Sequence, residues 1–309
     1  MNNYSEKIAI TTGDPNGIGA EITIKALKKL DLPADKILLV SNRKVLDFYG
    51  KLDKDYEIIE IPFNSEIHAG MVTKEGGEFS FQSLKKVCEM HPKAIVTAPV
   101  AKNALHIAGH IFNGQTEILE HYLSHDGQKA EMLFVAGNFK VLLLTRHCAL
   151  KEVTISKDIV ANKILNLKKF FKEHYQIQNP KFALCGFNPH SGEDGILGRE
   201  EIEILHPVVA ELRKLGVDIS DPLPADTLFV KAAKDYLSKA QQPTYDGYIA
   251  NYHDQGLIPI KTVAGDSTVN MTIGLDIIRT SPGHGTAFDI AGKDIADENG
   301  MISAIKEVL

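Results

Sequence analysis

Residues 8–21 read Ile-Ala-Ile-Thr-Thr-Gly-Asp-Pro-Asn-Gly-Ile-Gly-Ala-Glu, and they join a short apolar run to a helical pattern through a glycine-rich turn. Short apolar runs and longer helical patterns alternate along the rest of the chain. Short runs that are apolar throughout are typical of strands covered on both faces, as in parallel sheets. The sequence therefore predicts an α/β fold with mostly parallel strands. The predicted strands lie at residues 8–12, 37–40, 57–61, 94–97, 131–135, 139–145, 181–185 and 248–250.

Helices are predicted between these strands. The clearest begins at Ser156, a residue type favoured at helix N-termini, and another covers 199–215. The two apolar runs that flank Gly137 and Asn138 differ from the others because no helix is predicted between them, and this dipeptide suits a tight hairpin turn. An antiparallel pair is expected there.

Composition narrows the class of protein. The 309 residues carry a formal net charge of −6 and are 44% hydrophobic, which gives no electrostatic reason to expect nucleic acid or an anionic membrane as a partner. Three cysteines without a CxxC spacing argue against a disulfide framework and for a reducing compartment. With no signal-peptide pattern and only short apolar runs, a cytoplasmic location is expected.

Three histidines follow apolar runs and stand in polar, turn-forming contexts: His147, His190 and His253. The carboxyl ends of parallel strands are where α/β proteins bind ligands, so the three can converge in space. Three imidazoles suit Zn²⁺ or a similar metal and leave positions open for substrate. The alternative is that these histidines are surface residues that bind no metal, because any single one of the twelve histidines is more often a surface residue than a ligand.

Two glycine-rich segments differ in what they predict. Residues 13–21 lack both the GxGxxG spacing and the GK[ST] ending of a phosphate loop, so a tight turn that opens a helix is favoured. Residues 284–293, His-Gly-Thr-Ala-Phe-Asp-Ile-Ala-Gly-Lys, allow backbone to approach a flat or phosphorylated ligand closely. Lys261, Asn270 and Arg279 precede this segment and could donate to a phosphate, although each alone is more often a solvated residue.

A resemblance extends over nearly the whole chain. It rests on TTGDPNGIGAE (11–21), VTAPVAK (96–102), NGQTE (113–117), TRHCAL (145–150), FNPHSGE (187–193), LPADTLF (223–229), NYHDQGLIPIK (251–261) and VNMTIGLDIIRTSPGHGTAFDIAG (269–292). Together and in this order, these motifs resemble the 4-hydroxythreonine-4-phosphate dehydrogenase family of vitamin B6 biosynthesis. The segment at 284–293 is also similar to the nucleotide-binding loop of isocitrate and isopropylmalate dehydrogenases.

The resemblance implies an isocitrate/isopropylmalate dehydrogenase-like fold rather than a standard Rossmann fold, with two α/β/α domains and a cleft between them. Residues 1–125 with 280–309 are expected to form the first domain. Residues 126–279 are expected to form the second, which would carry most metal and dimer-interface residues. A homodimer whose subunits share each active site is also implied.

The resemblance assigns roles to individual residues. It implies a divalent metal (Zn, Mg or Co) on His147, His190 and His253, the last from the other subunit. The implied substrate contacts are Gln115, Thr116, Lys261, Asn270 and Arg279, and the implied nucleotide contacts are His284, Gly285, Thr286 and Ala287. Asp226, Asp254 and a metal-bound hydroxide are the alternatives for the general base, and for Asp226 a buried helix cap is the structural alternative.

The implied reaction is oxidation of 4-phosphohydroxy-L-threonine by NAD or NADP to 2-amino-3-oxo-4-phosphooxybutanoate, which decarboxylates to 3-amino-2-oxopropyl phosphate. Gln115 departs from the family pattern, which has His at this position; glutamine forms hydrogen bonds but cannot carry charge. A related dehydrogenase for threonate or erythronate 4-phosphate is therefore the nearer alternative. A metal-free acyl-phosphate transferase of the same fold group is the more distant one.

Overall fold

The computed structural model describes residues 4–309 of the chain. Its strands, in chain order, are β1 (Ile8–Thr11), β2 (Ile37–Ser41), β3 (Glu57–Glu60), β4 (Ala94–Thr97), β5 (Glu131–Ala136), β6 (Phe139–Leu143), β7 (Lys181–Leu184), β8 (Asp218–Ile219), β9 (Gly247–Ala250), β10 (Val269–Ile273) and β11 (Arg279–Pro282). The α-helices are α1 (Gly19–Leu30), α2 (Arg43–Tyr49), α3 (Lys74–Met90), α4 (Lys102–Ile107), α5 (Gln115–Leu123), α6 (Lys157–Glu173), α7 (His206–Lys214), α8 (Ala225–Leu237), α9 (His253–Ala264) and α10 (Asn299–Lys306).

The chain forms two compact units. The first runs to Ala130 and resumes at Val269–Leu309, and the second is Glu131–Thr268. The sequence places the two boundaries after residues 125 and 279. The segments 126–130 and 269–279, the latter with all of β10, therefore belong to the first unit in the structure and to the second domain in the prediction.

The first unit is built on strands in the order β3-β2-β1-β4-β11-β10. All neighbours are parallel except β10, which runs antiparallel to β11. Residues of β1, β2 and β4 are fully buried because helices cover both faces. Helices α1, α2 and α10 pack together in one group, and α3, α4 and α5 in another.

The second unit is built on strands in the order β5-β6-β9-β7-β8. The β5–β6 pair is antiparallel, and the other neighbours are parallel. The carboxyl ends of β6, β9 and β7 therefore lie side by side at one edge, because parallel strands end in the same direction. Helix α8 packs on α9, and α6 packs on α7.

Most of the predicted elements are confirmed. Each predicted strand is present within one or two residues of its expected bounds, and the hairpin turns through Gly137 (φ +54) with Ala136 opposite Phe139. The Ser156 hydroxyl accepts a hydrogen bond from the Ile159 amide, as expected of an N-cap. The α/β fold with mostly parallel strands is thus observed.

Three strands were missed: β8, β10 and β11. β8 has only two residues. Polar residues interrupt the apolar patterns of β10 and β11, so the sequence predicts no strand at either position and offers Asn270 and Arg279 only as donors to a phosphate. In the structure these polar residues, among them Thr272, Arg279 and Thr280, are buried in the sheet. A polar residue inside a covered strand breaks the apolar run on which strand prediction depends.

The predicted helix at 199–215 begins irregularly. Glu201–Leu205 form a π-helical turn before α7, a rare arrangement that in helices often marks functional sites. No helix among residues 4–309 is both long enough and apolar enough to cross a membrane.

Candidate active site

The three histidines follow three neighbouring strands of the second unit. His147 lies four residues after β6, His253 begins α9 after β9, and His190 lies in a short turn after β7. Pairs of residues near the strand ends, such as Leu143 with Ala250, are in parallel register. The structure therefore places all three side chains beyond the same edge of this sheet.

Asn251 links these strand ends. It is fully buried, and its side-chain amide donates to the Cys185 carbonyl at 2.9 Å. Its own carbonyl accepts a hydrogen bond from the Thr145 hydroxyl at 2.7 Å. Because these bonds connect β9 with the segments after β7 and β6, they hold the backbone that carries the histidines. Sequence reasoning assigned Asn251 no role.

Two of the histidines face each other within one chain. The ring centroids of His147 and His253 are 5.5 Å apart, with an angle of 49° between the ring planes. A tetrahedral metal bonded at about 2 Å to one nitrogen of each ring would place the centroids roughly 5 Å apart. The spacing of this pair therefore suits two ligands of one metal ion.

Asp254 orients one of these rings. Its Oδ1 lies 2.7 Å from Nδ1 of His253. A carboxylate on Nδ1 favours the tautomer that leaves Nε2 unprotonated and able to bind a metal, an arrangement common around metal-ligating histidines. His147, His253 and Asp254 line a cavity of about 340 Å³ together with Cys148 and Tyr252.

His190 stands apart from this pair in its local structure. It begins a run of left-handed residues, His190–Asp194, in the turn after β7. Within residues 4–309, no three His, Cys, Asp or Glu side chains are close enough together to form a complete metal site. One chain thus brings His147 and His253 together and leaves His190 outside the pair, whereas the resemblance implies that His253 comes from the other subunit.

Asp226 and Lys261 also belong to the second unit. Asp226 is exposed in the first turn of α8 and accepts a hydrogen bond from the Thr227 amide at 2.8 Å, so the buried-cap alternative is wrong. Asp226, Tyr252 and Asp254 line a second cavity of about 510 Å³ between α8 and α9. Lys261 is exposed in the last turn of α9.

Arg279 is the most unusual charged residue of the first unit. Only 2% of it is exposed, and it donates from Nε and Nη2 to the Thr97 hydroxyl oxygen at 2.9 and 2.6 Å. Nη1 is buried and has no partner in the structure. Burial lowers the pKa of Arg279 to about 9, while the charge of Glu117 opposes this shift. The group remains a cation at neutral pH, and Nη1 is available to an anion.

Gln115 and Asn270 carry further unpaired polar atoms in the first unit. Gln115 donates from Nε2 to the Ala98 carbonyl at 3.1 Å. Because a carbonyl can only accept, this bond orients the amide and leaves the buried Gln115 Oε1 as an acceptor without a partner. Asn270 Oδ1 is also buried and unpaired. Thr116 is 5% exposed in the first turn of α5.

The residues that hold Arg279 and Gln115 are consecutive. Thr97 ends β4 and Ala98 follows it, so both predicted substrate-binding side chains are attached to the carboxyl end of one strand. Thr97 belongs to the motif at 96–102, but the sequence predicts no role for it. Thr97 ends a predicted strand, and this position could have marked it as a residue of a ligand-binding site.

The segment 284–287 forms a loop of the first unit after β11. A Cβ added to Gly285 would meet no atom within 4 Å, so the backbone there borders open space. The loop is held from behind by the glycine-rich turn after β1: the Ile18 amide donates to the Thr286 carbonyl at 3.1 Å. His284 Nε2 is buried and unpaired. This geometry suits close approach of a flat ligand.

The glycine-rich turn after β1 contains a buried acid, Asp14, for which the sequence predicts no role. Asp14 is fully buried; its Oδ1 accepts from the Asn16 amide, and its Oδ2 has no partner. Burial raises the pKa of Asp14 to about 6, and the hydrogen bond from Asn16 partly offsets this rise. As predicted, the turn opens a helix, α1.

The family model described as "Pyridoxal phosphate biosynthetic protein PdxA" matches residues 8–308. The 4-hydroxythreonine-4-phosphate dehydrogenase of Sulfurihydrogenibium sp. (strain YO3AOP1) is 36% identical over 322 residues, with 97% of this chain and 96% of the relative covered. A protein of Oceanobacillus iheyensis named "Putative D-threonate 4-phosphate dehydrogenase" is also 36% identical, over 330 residues, with 98% and 96% covered.

Solved structures agree with this relationship. The crystal structure of 4-hydroxythreonine-4-phosphate dehydrogenase from Klebsiella pneumoniae has a TM-score of 0.83 and 32% identity, with 98% of each chain covered. Isocitrate dehydrogenase from Methylococcus capsulatus has a TM-score of 0.52 and 15% identity, with 99% of this chain and 85% of that chain covered. The second likeness concerns the fold alone, and the predicted isocitrate dehydrogenase-like fold class is confirmed.

Proposed function

The chain belongs to the PdxA family of pyridoxal phosphate biosynthetic proteins, and we propose that it is a metal-dependent, NAD(P)-linked 4-hydroxythreonine-4-phosphate dehydrogenase. The observation that carries the proposal is the facing pair His147 and His253, with Asp254 on the second ring. An oxidoreductase is also what the names of its relatives indicate.

His147 and His253 would hold the metal, with His190 as the third ligand. Neutral imidazoles with a carboxylate behind one of them are a donor set for Zn²⁺, Co²⁺ or a similar ion. When bound, the ion would lower the pKa of the substrate C3 alcohol and stabilise negative charge during decarboxylation. Because one chain alone does not close the set of three, we propose that the working enzyme is a homodimer in which subunits share the site.

Arg279 would bind the substrate phosphate through Nη1. A buried cation whose third nitrogen lacks a partner is prepared for an anion, since the ligand would supply the missing hydrogen bond. Thr116 and Asn270 would add polar contacts, and Lys261 a second cation. Holding the phosphate fixes C3 relative to the oxidant, which is a positioning role without a chemical step.

The oxidation step needs an acceptor for one hydride and one proton, and the decarboxylation that follows needs a donor that returns one proton to C2. The C3 hydrogen leaves as hydride to the nicotinamide ring, the C3 hydroxyl proton leaves to a base, and the resulting β-keto acid loses CO₂ from C1. Asp226 and Asp254 are the proposed bases, because both carboxylates line the same cavity. Asp254 has the additional task of orienting His253 through Oδ1.

The nucleotide would lie against residues His284, Gly285, Thr286 and Ala287. The open space beside Gly285 supports this assignment, since a Cβ there would occupy the space that a ligand needs. The Ile18–Thr286 hydrogen bond keeps the loop in place from the opposite side. Either NAD or NADP is compatible with these residues.

Gln115 supports a second candidate, a dehydrogenase for threonate 4-phosphate or erythronate 4-phosphate. Its unpaired Oε1 accepts a hydrogen bond equally well from a hydroxyl or an amine, and it carries no charge. A relative of equal identity is named for D-threonate 4-phosphate. An acyl-phosphate transferase, in contrast, would need no metal, so the facing histidines His147 and His253 would have no function in it.

The test is NAD(P)⁺ reduction by purified, metal-reconstituted protein with 4-phosphohydroxy-L-threonine and threonate 4-phosphate as parallel substrates. We expect turnover of the amino substrate that chelation abolishes and metal restores. Turnover of threonate 4-phosphate alone would establish the second candidate. Absence of reduction with either substrate in folded, metal-loaded protein would refute the dehydrogenase proposal.

A further inference from the structure

The turn that carries His190 has an unfavourable backbone. His190, Ser191, Gly192, Glu193 and Asp194 all have positive φ, with values of 52, 54, 81, 44 and 54°. Side chains with a Cβ disfavour the left-handed region, so consecutive non-glycine residues in it persist only when their surroundings hold them there. Contacts from outside the turn must therefore stabilise it.

Glu201 provides such contacts. It is 1% exposed and opens the π-helical turn before α7. Its Oε1 accepts from the Asn188 backbone amide at 2.8 Å, and its Oε2 accepts from the Asn188 side-chain amide at 3.0 Å. Both oxygens of the Glu201 carboxylate thus accept hydrogen bonds from Asn188, which lies just before the left-handed turn.

The glycines of this segment show how closely the parts fit. A Cβ on Gly192 would lie 2.7 Å from Oε2 of Glu201, and a Cβ on Gly198 would lie 2.3 Å from Nδ2 of Asn188. Gly192 is the middle residue of the left-handed run. The Glu201 carboxylate therefore contacts the turn at its middle as well as at its entry.

We propose that Glu201 is a positioning residue for His190. The proposal rests on the metal-binding role of His190 proposed above. By binding Asn188 and filling the space beside Gly192, the carboxylate keeps the turn left-handed and keeps the His190 imidazole at the edge formed by the ends of β6, β9 and β7. Its effect on metal binding passes through His190, and Glu201 itself binds no metal.

The test compares Co²⁺ binding by the wild-type protein and by Glu201→Gln. Glutamine has similar size but one acceptor oxygen, so its amide would oppose a donor of Asn188. Glu203→Gln is the matched control, because Glu203 is exposed in the same π-helical turn and pairs with Arg199. We expect Co²⁺ affinity to fall about 10- to 100-fold in Glu201→Gln, with an altered visible absorption spectrum, and no change in Glu203→Gln.

A double-mutant comparison separates positioning from general stabilisation. In a His190→Ala background, we expect Glu201→Gln to cause no further loss of Co²⁺ affinity, because the residue through which it acts is already gone. An equal loss in both backgrounds, or wild-type affinity and spectrum in Glu201→Gln, would overturn the proposal. Asn188→Ala, which removes the side-chain bond and keeps the carboxylate, serves if Glu201→Gln does not fold; full Co²⁺ affinity in that variant also overturns it.

The outcome also separates this inference from the proposed function. If wild-type protein binds Co²⁺ and His190→Ala weakens binding, the metal assignment stands and the Glu201 variants decide the inference. If wild-type protein binds no Co²⁺, or if His190→Ala leaves binding unchanged, the metal assignment itself fails and the inference fails with it.

Discussion

Arg279 and Thr97 form a pair in which a buried guanidinium group donates two hydrogen bonds to one hydroxyl oxygen, at 2.9 and 2.6 Å. Buried arginines are usually paired with carboxylates, and here the direct partner is neutral. The positive charge is therefore only partly compensated within the first unit. An anionic substrate group would complete the compensation.

Replacing Thr97 by valine tests this relationship. Thr97→Val keeps the shape but removes the acceptor, so two buried N–H groups lose their partner. We expect the free energy of unfolding to fall by about 1–3 kcal/mol and KM for the phosphorylated substrate to rise. Urea unfolding and steady-state kinetics measure both effects. Thr97→Ser keeps the hydroxyl and should behave much like wild type; equal defects in both variants would contradict the explanation.

Replacing Asp254 by asparagine tests the orientation of His253. Asparagine can still hydrogen-bond to Nδ1, but it lacks the negative charge that raises the basicity of the imidazole. We expect metal affinity to fall about 10- to 100-fold, measured by titration of metal-free protein. His147→Ala should lose bound metal and activity while remaining folded, and His125→Ala, an exposed histidine of the first unit, should lose neither.

Replacing Gln115 by histidine tests substrate choice. Histidine can donate or carry charge, whereas Gln115 presents an uncharged acceptor fixed by Ala98. We expect the ratio of kcat/KM for 4-phosphohydroxy-L-threonine to kcat/KM for threonate 4-phosphate to change about 10-fold or more. Gln115→Leu, which removes all hydrogen bonding, should lower both values. An unchanged ratio in Gln115→His would show that this residue does not determine specificity.

Replacing Gly285 by alanine tests the nucleotide loop. The added methyl group meets no protein atom within 4 Å, so stability should be unchanged. If nucleotide lies against this backbone, KM for NAD(P)⁺ rises while metal affinity stays at the wild-type value. Thermal unfolding and metal titration provide the internal controls. Wild-type KM for the nucleotide would remove Gly285 from the binding surface.

Asp14 predicts a specific pH dependence of stability. Burial raises the pKa of Asp14 from 3.8 to about 6, so its folded pKa lies above its unfolded pKa. The resulting stabilisation is present below pH 4 and is lost as pH rises through about 6. Asp14→Asn removes this titration. We therefore expect the free energy of unfolding of the variant, relative to wild type, to increase by up to about 3 kcal/mol between pH 4 and pH 7.

Urea unfolding of both proteins at several pH values measures this difference. Asp289→Asn, an exposed carboxylate of the same unit, serves as the control and should show no such change. Parallel pH profiles for wild type and Asp14→Asn would show that the buried carboxyl does not titrate in this range.

The order of apolar and polar residues along the chain is enough to predict the α/β class and most of the sheet. Strands such as β1, β2 and β4 are short and apolar because helices cover both of their faces, and that pattern is visible residue by residue. It also placed His147, His190 and His253 after strands, and parallel strands necessarily end at one edge. Local chemistry likewise predicted the hairpin at Gly137 and the Ser156 cap, since both depend on a few consecutive residues.

Which side chains meet becomes visible only in the folded chain. Thr97 and Arg279 are 182 residues apart in sequence, and no local pattern connects them. The same holds for Asn251 and Cys185, and for β10 and β11, whose buried polar residues hide the apolar pattern of a strand. The left-handed turn at His190 is likewise contacted by the buried Glu201 carboxylate, which lies outside the turn. Such contacts arise from packing between distant segments, whereas periodicity records only the burial of a segment's own faces.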